Sequence, residues 1–149
     1  AYKLSTTKEQ AAIIRNAQKK VLAGTIQLDD ELKQLGRTGQ FIRTWGGRIY
    51  YREPNDERDM SYKLLNYLIQ GSAADCTKQA LINMASNTDF TGQLLVTVHD
   101  EINFSSPKRD VKRNMRALRE SMLDVAFDVP MISDPKTGER WGSLQHYKD

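Results

Sequence analysis

The sequence predicts an α+β fold in which a small antiparallel sheet with a carboxylate-bearing hairpin packs on long helices. Apolar residues recur at helical spacing over about residues 7–36, 62–87 and 108–126. Between these segments lie short runs rich in aromatic and β-branched residues, which are typical of strands. No internal repeat is visible. The first helical segment, which precedes every predicted strand, is expected to form an N-terminal helical arm.

Length and composition indicate one domain's worth of sequence with a real core. The chain has 149 residues, of which 39% are hydrophobic. No apolar run approaches the roughly 18–20 residues that span a bilayer, and the N-terminus lacks the apolar region of a signal peptide. The single cysteine, Cys76, excludes an intramolecular disulfide and fits a reducing compartment. We therefore expect a cytoplasmic protein without a membrane partner. Its net charge of +3 permits nucleic acid as a partner without proving it.

The N-terminal arm is predicted to be broken and to be followed by a hairpin. Thr6 and Glu9 have the spacing of a capping box. Gly24 is expected to interrupt the helical period, and Gly36 to end it. After it, aromatic and β-branched residues flank Gly46-Gly47, which predicts a β-hairpin with a two-glycine turn.

Residues 62–87 predict a long helix with apolar residues on more than one face, so we expect most of it to be buried. Gly71 in its middle costs about 1 kcal/mol of helix stability, which indicates a close approach by another backbone or a ligand. Asn66 and Gln70 are four residues apart and share a helix face. Their amides are suited to reading base edges or sugars. Taken alone, this motif favours the alternative, a helix–helix contact with surface amides.

The pattern with the most chemical content is His99-Asp100-Glu101, which separates predicted strands at 94–98 and 102–104. A tight turn favours Asn-Gly or Asp-Gly, whereas this one carries three ionisable side chains and no glycine. Carboxylates are the ligands that Mg²⁺ takes in proteins, together with substrate phosphates. The alternative is a solvated turn whose charges face water.

Two groups of basic residues also allow two interpretations. Each group is either a phosphate-binding surface or a solvated polar face. The first group lies on the predicted helix at 108–126 and the second surrounds the first hairpin. The groups are Lys108, Arg109, Lys112, Arg113, Arg116 and Arg119, and Arg37, Arg43, Arg48 and Arg52.

Four stretches, in this order along the chain, carry a family resemblance. Residues 39–48 are similar to a Gly-Tyr-Val-x-Thr-x-x-Gly-Arg-Arg hairpin, and residues 66–75 to an Asn-x-x-x-Gln-Gly-(Ser/Thr)-Ala-Ala-Asp helix. Residues 94–104 resemble the palm motif called C, and residues 128–141 a closing segment. Together they resemble the C-terminal part of the family A, polymerase I-like, DNA polymerases.

The resemblance implies a division of the chain and a catalytic site. Residues 1–57 would be the end of the fingers, as a helical arm with a β-hairpin, and residues 58–149 the C-terminal palm portion. Asp100 would bind the Mg²⁺ ions of a two-metal phosphoryl-transfer site. Glu101 would assist as a second metal ligand.

The resemblance also implies DNA contacts. His99 would touch the primer's terminal nucleotide, and Asn66 and Gln70 would contact the template–primer duplex from its minor groove. Tyr62 stands where the family usually has an Arg, so the adjacent Lys63 is the predicted replacement.

Other differences from the family concern missing parts. Arg48 of the hairpin is a predicted DNA contact, but Ile49 follows it where the family often has a second Arg. The palm strand with the second catalytic Asp has no match in this chain. Neither does the fingers helix that holds the incoming nucleotide.

The function implied is that of the C-terminal part of a template-directed DNA polymerase, which transfers a nucleotide from a dNTP to a primer 3′-hydroxyl. It would need a second chain, or a missing N-terminal part, that carries the other palm Asp and the fingers helix, and it would be inactive alone. Its partners would be primer–template DNA, a dNTP and that second chain. Two other classes stay open. One is a non-catalytic duplex-DNA-binding accessory protein on a palm scaffold, and the other is a scaffold subunit in which residues 99–101 form a solvated turn.

Overall fold

The computed structural model describes residues 7–55, 57–127 and 129–147. The helices are α1 (Lys8–Val21), α2 (Ala23–Arg37), α3 (Leu64–Ser86) and α4 (Val111–Leu123). The strands are β1 (Ile42–Arg43), β2 (Ile49–Tyr50), β3 (Gln93–Val98), β4 (Glu101–Ser105), β5 (Lys136–Thr137) and β6 (Gln145–His146). Each strand pairs with its neighbour in sequence as an antiparallel ribbon. The predicted α+β class is therefore confirmed.

The chain folds as two compact units, of which the first ends at Gln70 and the second begins at Gly71. Helix α3 contributes to both. The division predicted at residue 57 separates the fingers portion from the palm portion, which is a different criterion from the division into compact units. It stays a prediction. None of the helices in the described ranges is long and apolar enough to cross a membrane.

The predicted broken arm is confirmed, but its cap and its break are displaced. The cap is Thr7, whose hydroxyl accepts from the Gln10 N–H at 3.2 Å, while the Gln10 side chain accepts from the Thr7 N–H. This capping box begins one residue after the predicted Thr6, which lies outside the described residues. The arm breaks at Leu22 rather than at Gly24, which lies inside α2.

Gly36 was expected to end α2, and the structure gives it a different role. The helix continues to Arg37, and the left-handed residue beyond it is Gly39, with φ +74°. Gly36 is buried, and a Cβ there would lie 2.6 Å from Leu64 Cδ1. Leu64 has no solvent exposure and packs with Leu32 in the core of the first unit. Gly36 is therefore needed for close packing rather than for ending the helix.

The two-glycine hairpin is confirmed. Ile42 pairs with Tyr50, and Gly47 adopts a φ of +86° in the turn. The Thr44 N–H donates to the Arg48 carbonyl at 2.9 Å and closes the ribbon. The Tyr50 ring stacks on Tyr67 of α3 with their centroids 5.2 Å apart, so the hairpin is tied to the start of the long helix.

The expectation that α3 is mostly buried is wrong for this chain. Ile69 is 54% exposed and Ile82 is 60% exposed. The other elements of the described chain bury one stripe of the helix, while Leu65 and Leu68 beside it are partly buried. The buried positions are Leu64, Gly71, Asp75, Cys76, Ala80 and Met84.

The second unit has its core between α3 and the C-terminal helix, as the amphipathic pattern of α4 predicts. Cys76 and Ala80 of α3 are buried with Val125, and Ile102 and Met122 pack against them. Helix α4 turns a continuous face inward, which includes two polar residues. Its buried residues are Asn114, Met115, Ala117, Leu118 and Ser121.

We expect Gly36→Ala to lower the free energy of unfolding by about 1–2 kcal/mol. Overpacking against the buried Leu64 costs about 1–3 kcal/mol, which exceeds the gain in helix propensity of up to about 1 kcal/mol. Gly24→Ala is the matched control, because it lies in the same helix with no atom within 4 Å of the added Cβ. This control should raise stability by about 0.5–1 kcal/mol. Urea denaturation of the two variants checks both signs, and a Gly36→Ala variant as stable as the control would contradict the packing role.

Candidate functional site

The candidate site lies at the tip of the ribbon β3–β4. Val98 pairs with Glu101, so only His99 and Asp100 form the turn. His99 has a φ of +55° and is the non-glycine residue with positive φ among those described. This conformation costs an L-residue roughly 1–2 kcal/mol. A strained residue at a hairpin tip is an observation that motivates a functional hypothesis.

The two carboxylates of the site are exposed and unneutralised. Asp100 and Glu101 are both exposed, and no described group forms a hydrogen bond or an ion pair with either carboxylate. Exposed carboxylates that no described group neutralises attract a cation. The donor set therefore fits part of a Mg²⁺ shell.

These carboxylates do not form a complete metal site by themselves. Within the described ranges, no three His, Cys, Asp or Glu side chains are grouped so that they could hold a metal ion. Mg²⁺ takes near-octahedral oxygen coordination and keeps several waters. Further ligands would have to come from water, substrate phosphates or other polypeptide.

The ribbon that carries the tip is irregular and largely exposed along one strand. The strand pairing shifts between Leu94 and Val96, so that Leu95 forms a bulge. Leu94 is 45% exposed, Leu95 is 61% exposed and Val96 is 40% exposed. At the tip, the Thr77 hydroxyl of α3 lies 3.5 Å from the His99 carbonyl oxygen.

Asn66 and Gln70 lie one turn apart on α3, and both are exposed. No described group is a hydrogen-bond partner of either side-chain amide. The predicted shared face is therefore present, and its amides are available to a ligand. Gly71, which follows Gln70, is buried.

Lys63, the predicted replacement for the family's Arg, is engaged within the chain. Its Nζ lies 2.5 Å from Glu53 Oε2, and the Tyr67 hydroxyl donates to Glu53 Oε1. The hydrogen bond from Lys63, and then that from Tyr67, lowers the pKa of Glu53, while Glu53 raises the pKa of Lys63. Sequence reasoning did not single out Glu53, because a charged residue in a polar loop carries no signal of its partner.

The arginines of the first hairpin have intramolecular contacts. Arg48 Nη1 lies 3.4 Å from the Tyr50 hydroxyl. Arg43 stands over the Phe41 ring at 5.3 Å, which is a cation–π contact. Arg37 Nε lies 2.7 Å from Asp59 Oδ2. The ring and carboxylate contacts help to hold the loops that surround this hairpin.

The basic residues of the segment 108–119, which includes most of α4, are exposed and mostly lie beside acidic neighbours. Lys108 lies 3.1 Å from Glu139, and Arg116 lies 3.7 Å from Glu120. Exposed pairs of this kind contribute up to about 1 kcal/mol. The geometry favours the interpretation of this group as a solvated polar face.

Comparison with known proteins identifies first the class and then the family. The fold of the chain matches part of a polymerase domain. The solved structure is the POL domain of Pol1 from M. smegmatis in complex with DNA primer-template and dNTP. The match covers 87% of this chain and 25% of the solved chain, with a TM-score of 0.77 and 26% identity. The family model for DNA polymerase family A matches residues 1–143. The chain belongs to DNA polymerase family A, which confirms the resemblance seen in the sequence.

Named relatives are consistent with this assignment. The chain is 34% identical over 112 residues to the DNA polymerase of Mycobacterium phage L5. This match covers 74% of the chain and 18% of the phage protein. It is 29% identical over 146 residues to DNA polymerase I of Bacillus subtilis, which covers 91% of this chain and 16% of that protein. The chain thus spans less than a fifth of the length of these relatives.

The contacts of Asp59 predict a contribution to the free energy of unfolding that is lost in acid. Hydrogen bonds with Ser61 and then Arg37 hold the pKa of the Asp59 carboxyl well below its usual range. A lowered folded-state pKa stabilises the fold above the unfolded pKa of about 3.9, and this contribution is lost as the pH falls further. The urea midpoint should therefore decrease from pH 5 to pH 3, and the decrease should be smaller for Asp59→Asn.

The matched control for this measurement is Asp89→Asn, whose exposed carboxylate has no partner in the described part of the chain. Asp89→Asn should retain the full decrease. An Asp59→Asn variant with the same pH dependence as the control would show that the contacts of Asp59 do not stabilise the fold.

Proposed function

We propose that this chain is the C-terminal part of a template-directed DNA polymerase that adds a nucleotide from a dNTP to a primer 3′-hydroxyl. The observation that carries the proposal is the tip of the ribbon β3–β4, where Asp100 and Glu101 are exposed without a described partner in a family A chain. A solved relative in complex with primer-template DNA and dNTP supports the same ligand classes here. We assign residues 1–57 to the end of the fingers and residues 58–149 to the C-terminal palm portion.

The proposed reaction is an attack of the primer 3′-oxygen on the α-phosphorus of the nucleotide. A new P–O bond forms as the bond to the leaving pyrophosphate breaks, and the hydroxyl proton is lost to a base or to water. Bound Mg²⁺ would neutralise phosphate charge and make the 3′-hydroxyl a better nucleophile. Asp100 and Glu101 would hold the metals, and the rigid turn would keep their oxygens in place. Most of the catalysis would then be positioning and electrostatics.

The remaining predicted residues would hold the duplex. Minor-groove acceptors are nearly the same for every base pair. The exposed amides of Asn66 and Gln70 would therefore sense the geometry of pairing without reading sequence. His99 would touch the primer's terminal nucleotide. Arg48 and Lys63 would contact the phosphate backbone, and a phosphate would have to compete with Glu53 for the Lys63 ammonium.

We further propose that activity requires polypeptide beyond these 149 residues, supplied by a second chain or by a preceding segment. It would carry the second palm Asp and the nucleotide-binding fingers helix. Two considerations support this requirement. The described residues hold no group of three metal-ligating side chains, and the chain matches only 25% of the solved polymerase domain.

The first prediction from this proposal is that the purified 149-residue chain does not extend a primed template with Mg²⁺ and all four dNTPs. The measurement is extension of a labelled primer, with a complete family A polymerase as the positive control. Template-dependent extension by the chain alone would refute the requirement for further polypeptide, and it would leave the catalytic assignment in place.

The second prediction concerns Asp100→Asn in the complete polymerase that contains this chain. A metal ion contributes several kcal/mol of charge stabilisation in such a reaction, and about 4 kcal/mol corresponds to about a thousandfold in rate. We therefore expect kcat to fall about a thousandfold or more, while the Kd for primer–template changes by less than about threefold. The measurement is single-turnover extension alongside duplex binding.

Asp89→Asn serves as the charge-matched control and should leave kcat unchanged. Near-normal turnover by Asp100→Asn would remove Asp100 from the site. Duplex binding with a steep salt dependence and no extension in the wild-type assembly would instead favour a non-catalytic accessory protein.

A further inference from the structure

A buried polar side chain fixes the base of the ribbon β3–β4. Asn114 of α4 has no solvent exposure. Its Oδ1 accepts from the Thr91 N–H at 2.8 Å, and its Nδ2 donates to Ser106 Oγ at 2.7 Å. Thr91 lies just before β3, and Ser106 directly follows β4. One amide therefore ties both ends of the ribbon to a single point of α4.

Aromatic packing closes the same base. The rings of Phe90 and Phe104 meet edge to face with their centroids 5.1 Å apart. Gly92 lies between them, and a Cβ there would come within 2.7 Å of Phe104 and 2.8 Å of Phe90. The base of the ribbon is therefore tightly packed as well as hydrogen-bonded.

Away from its base the ribbon is supported on one side, where Ile102 of β4 packs against Cys76 and Ala80 of α3. It has two strands, and Leu94, Leu95 and Val96 of β3 are exposed. At the tip, the contact from the Thr77 hydroxyl to the His99 carbonyl is long at 3.5 Å. The six residues of β3 span about 20 Å at about 3.3 Å each, so a tilt of about 3° at the base would move the tip by about 1 Å. The attachment at the base, together with the packing of Ile102 on α3, therefore sets the position of the tip.

The identity of residue 114 also points to a specific role. A buried amide is costly unless it is hydrogen-bonded, and Asn is a weak helix former. Met115 and Leu118 on the same buried face show that the core accepts aliphatic side chains here. An aliphatic residue at 114 would leave the Thr91 N–H without the partner that the structure gives it.

We infer that Asn114 is a positioning residue, which sets the tilt of the ribbon β3–β4 and thereby the place of the Asp100 carboxylate. The catalytic consequence rests on the proposed polymerase function, whereas the attachment of the ribbon does not. Misplacement of a reacting group by about 1 Å can cost about a hundredfold in rate. The effect of losing Asn114 should therefore fall on kcat and on the use of metal more than on nucleotide affinity.

The test compares Asn114→Leu with Ser121→Ala in the polymerase that contains this chain. Leu has a similar size and keeps the position apolar, but it makes neither hydrogen bond. Ser121 is the matched control, because it is buried on the same helix and its hydroxyl donates to Ala117 of that helix at 2.8 Å. Amide hydrogen exchange of residues 91–106 is measured by mass spectrometry. kcat, the KM for dNTP and the half-saturating Mg²⁺ concentration are measured on the same samples.

For Asn114→Leu we expect exchange of residues 91–106 to become at least tenfold faster. We also expect kcat to fall about 10- to 100-fold, the half-saturating Mg²⁺ concentration to rise several-fold, and the KM for dNTP to change by less than about threefold. Ser121→Ala should leave all four values near those of the wild type. If Asn114→Leu does not fold, Ser106→Ala removes one of the two hydrogen bonds from a partly exposed position and should shift the same quantities in the same direction by less.

Two results would overturn the inference: unchanged exchange in the ribbon, or faster exchange with unchanged kcat and Mg²⁺ dependence. Failure of the proposed function has a different signature. Asp100→Asn would then also be without effect, or the wild-type assembly would not extend a primer. In that case the exchange data alone decide whether Asn114 fixes the ribbon.

Discussion

The candidate site depends on the two-residue turn that joins β3 to β4. Because Val98 pairs with Glu101, the ladder leaves only His99 and Asp100 to reverse the chain. His99 therefore takes a left-handed conformation that glycine or asparagine would adopt at lower cost. The ladder below the turn, together with the packed base at Phe90, Gly92 and Phe104, offsets this cost. The turn and the first residue of β4 carry two exposed carboxylates, Asp100 and Glu101, which no described cation neutralises.

The first unit uses its charged residues differently. There, several side chains that the sequence offers as phosphate contacts also hold the fold together. Lys63 is held by Glu53, and Arg37 by Asp59. The hydrogen bond from Lys63 lowers the pKa of Glu53, and hydrogen bonds with Ser61 and then Arg37 lower the pKa of Asp59. A phosphate that binds Lys63 or Arg37 has to displace the carboxylate that contacts that side chain. The amides of Asn66 and Gln70 are free of such competition, since they have no described partner.

Local patterns predicted most of the elements, because those patterns are set by neighbours in sequence. Helical periodicity gave α4 and the broken arm, and the residue types around Gly46-Gly47 gave the first hairpin with its turn. Asp100 and Glu101 could be singled out because ionisable residues without glycine are a poor turn. Gly36 was misread, because its steric neighbour, Leu64, is remote in sequence. Asn114 and Glu53 were missed for the same reason, since their partners are set by tertiary packing.

The burial of α3 shows what a hydrophobic pattern reports. Apolar residues occur on more than one face of the helix, and this pattern is typical of a mostly buried helix. In the chain itself one stripe is buried, while Ile69 and Ile82 are more than half exposed, as is Leu95 on β3. Covering apolar surface is favourable by about 25 cal/mol per Å², so these residues favour association with further polypeptide. The matched segments cover 18% and 16% of the two relatives named above. The exposed apolar residues and the incomplete group of carboxylates therefore support the proposal that this chain works as part of a larger polymerase.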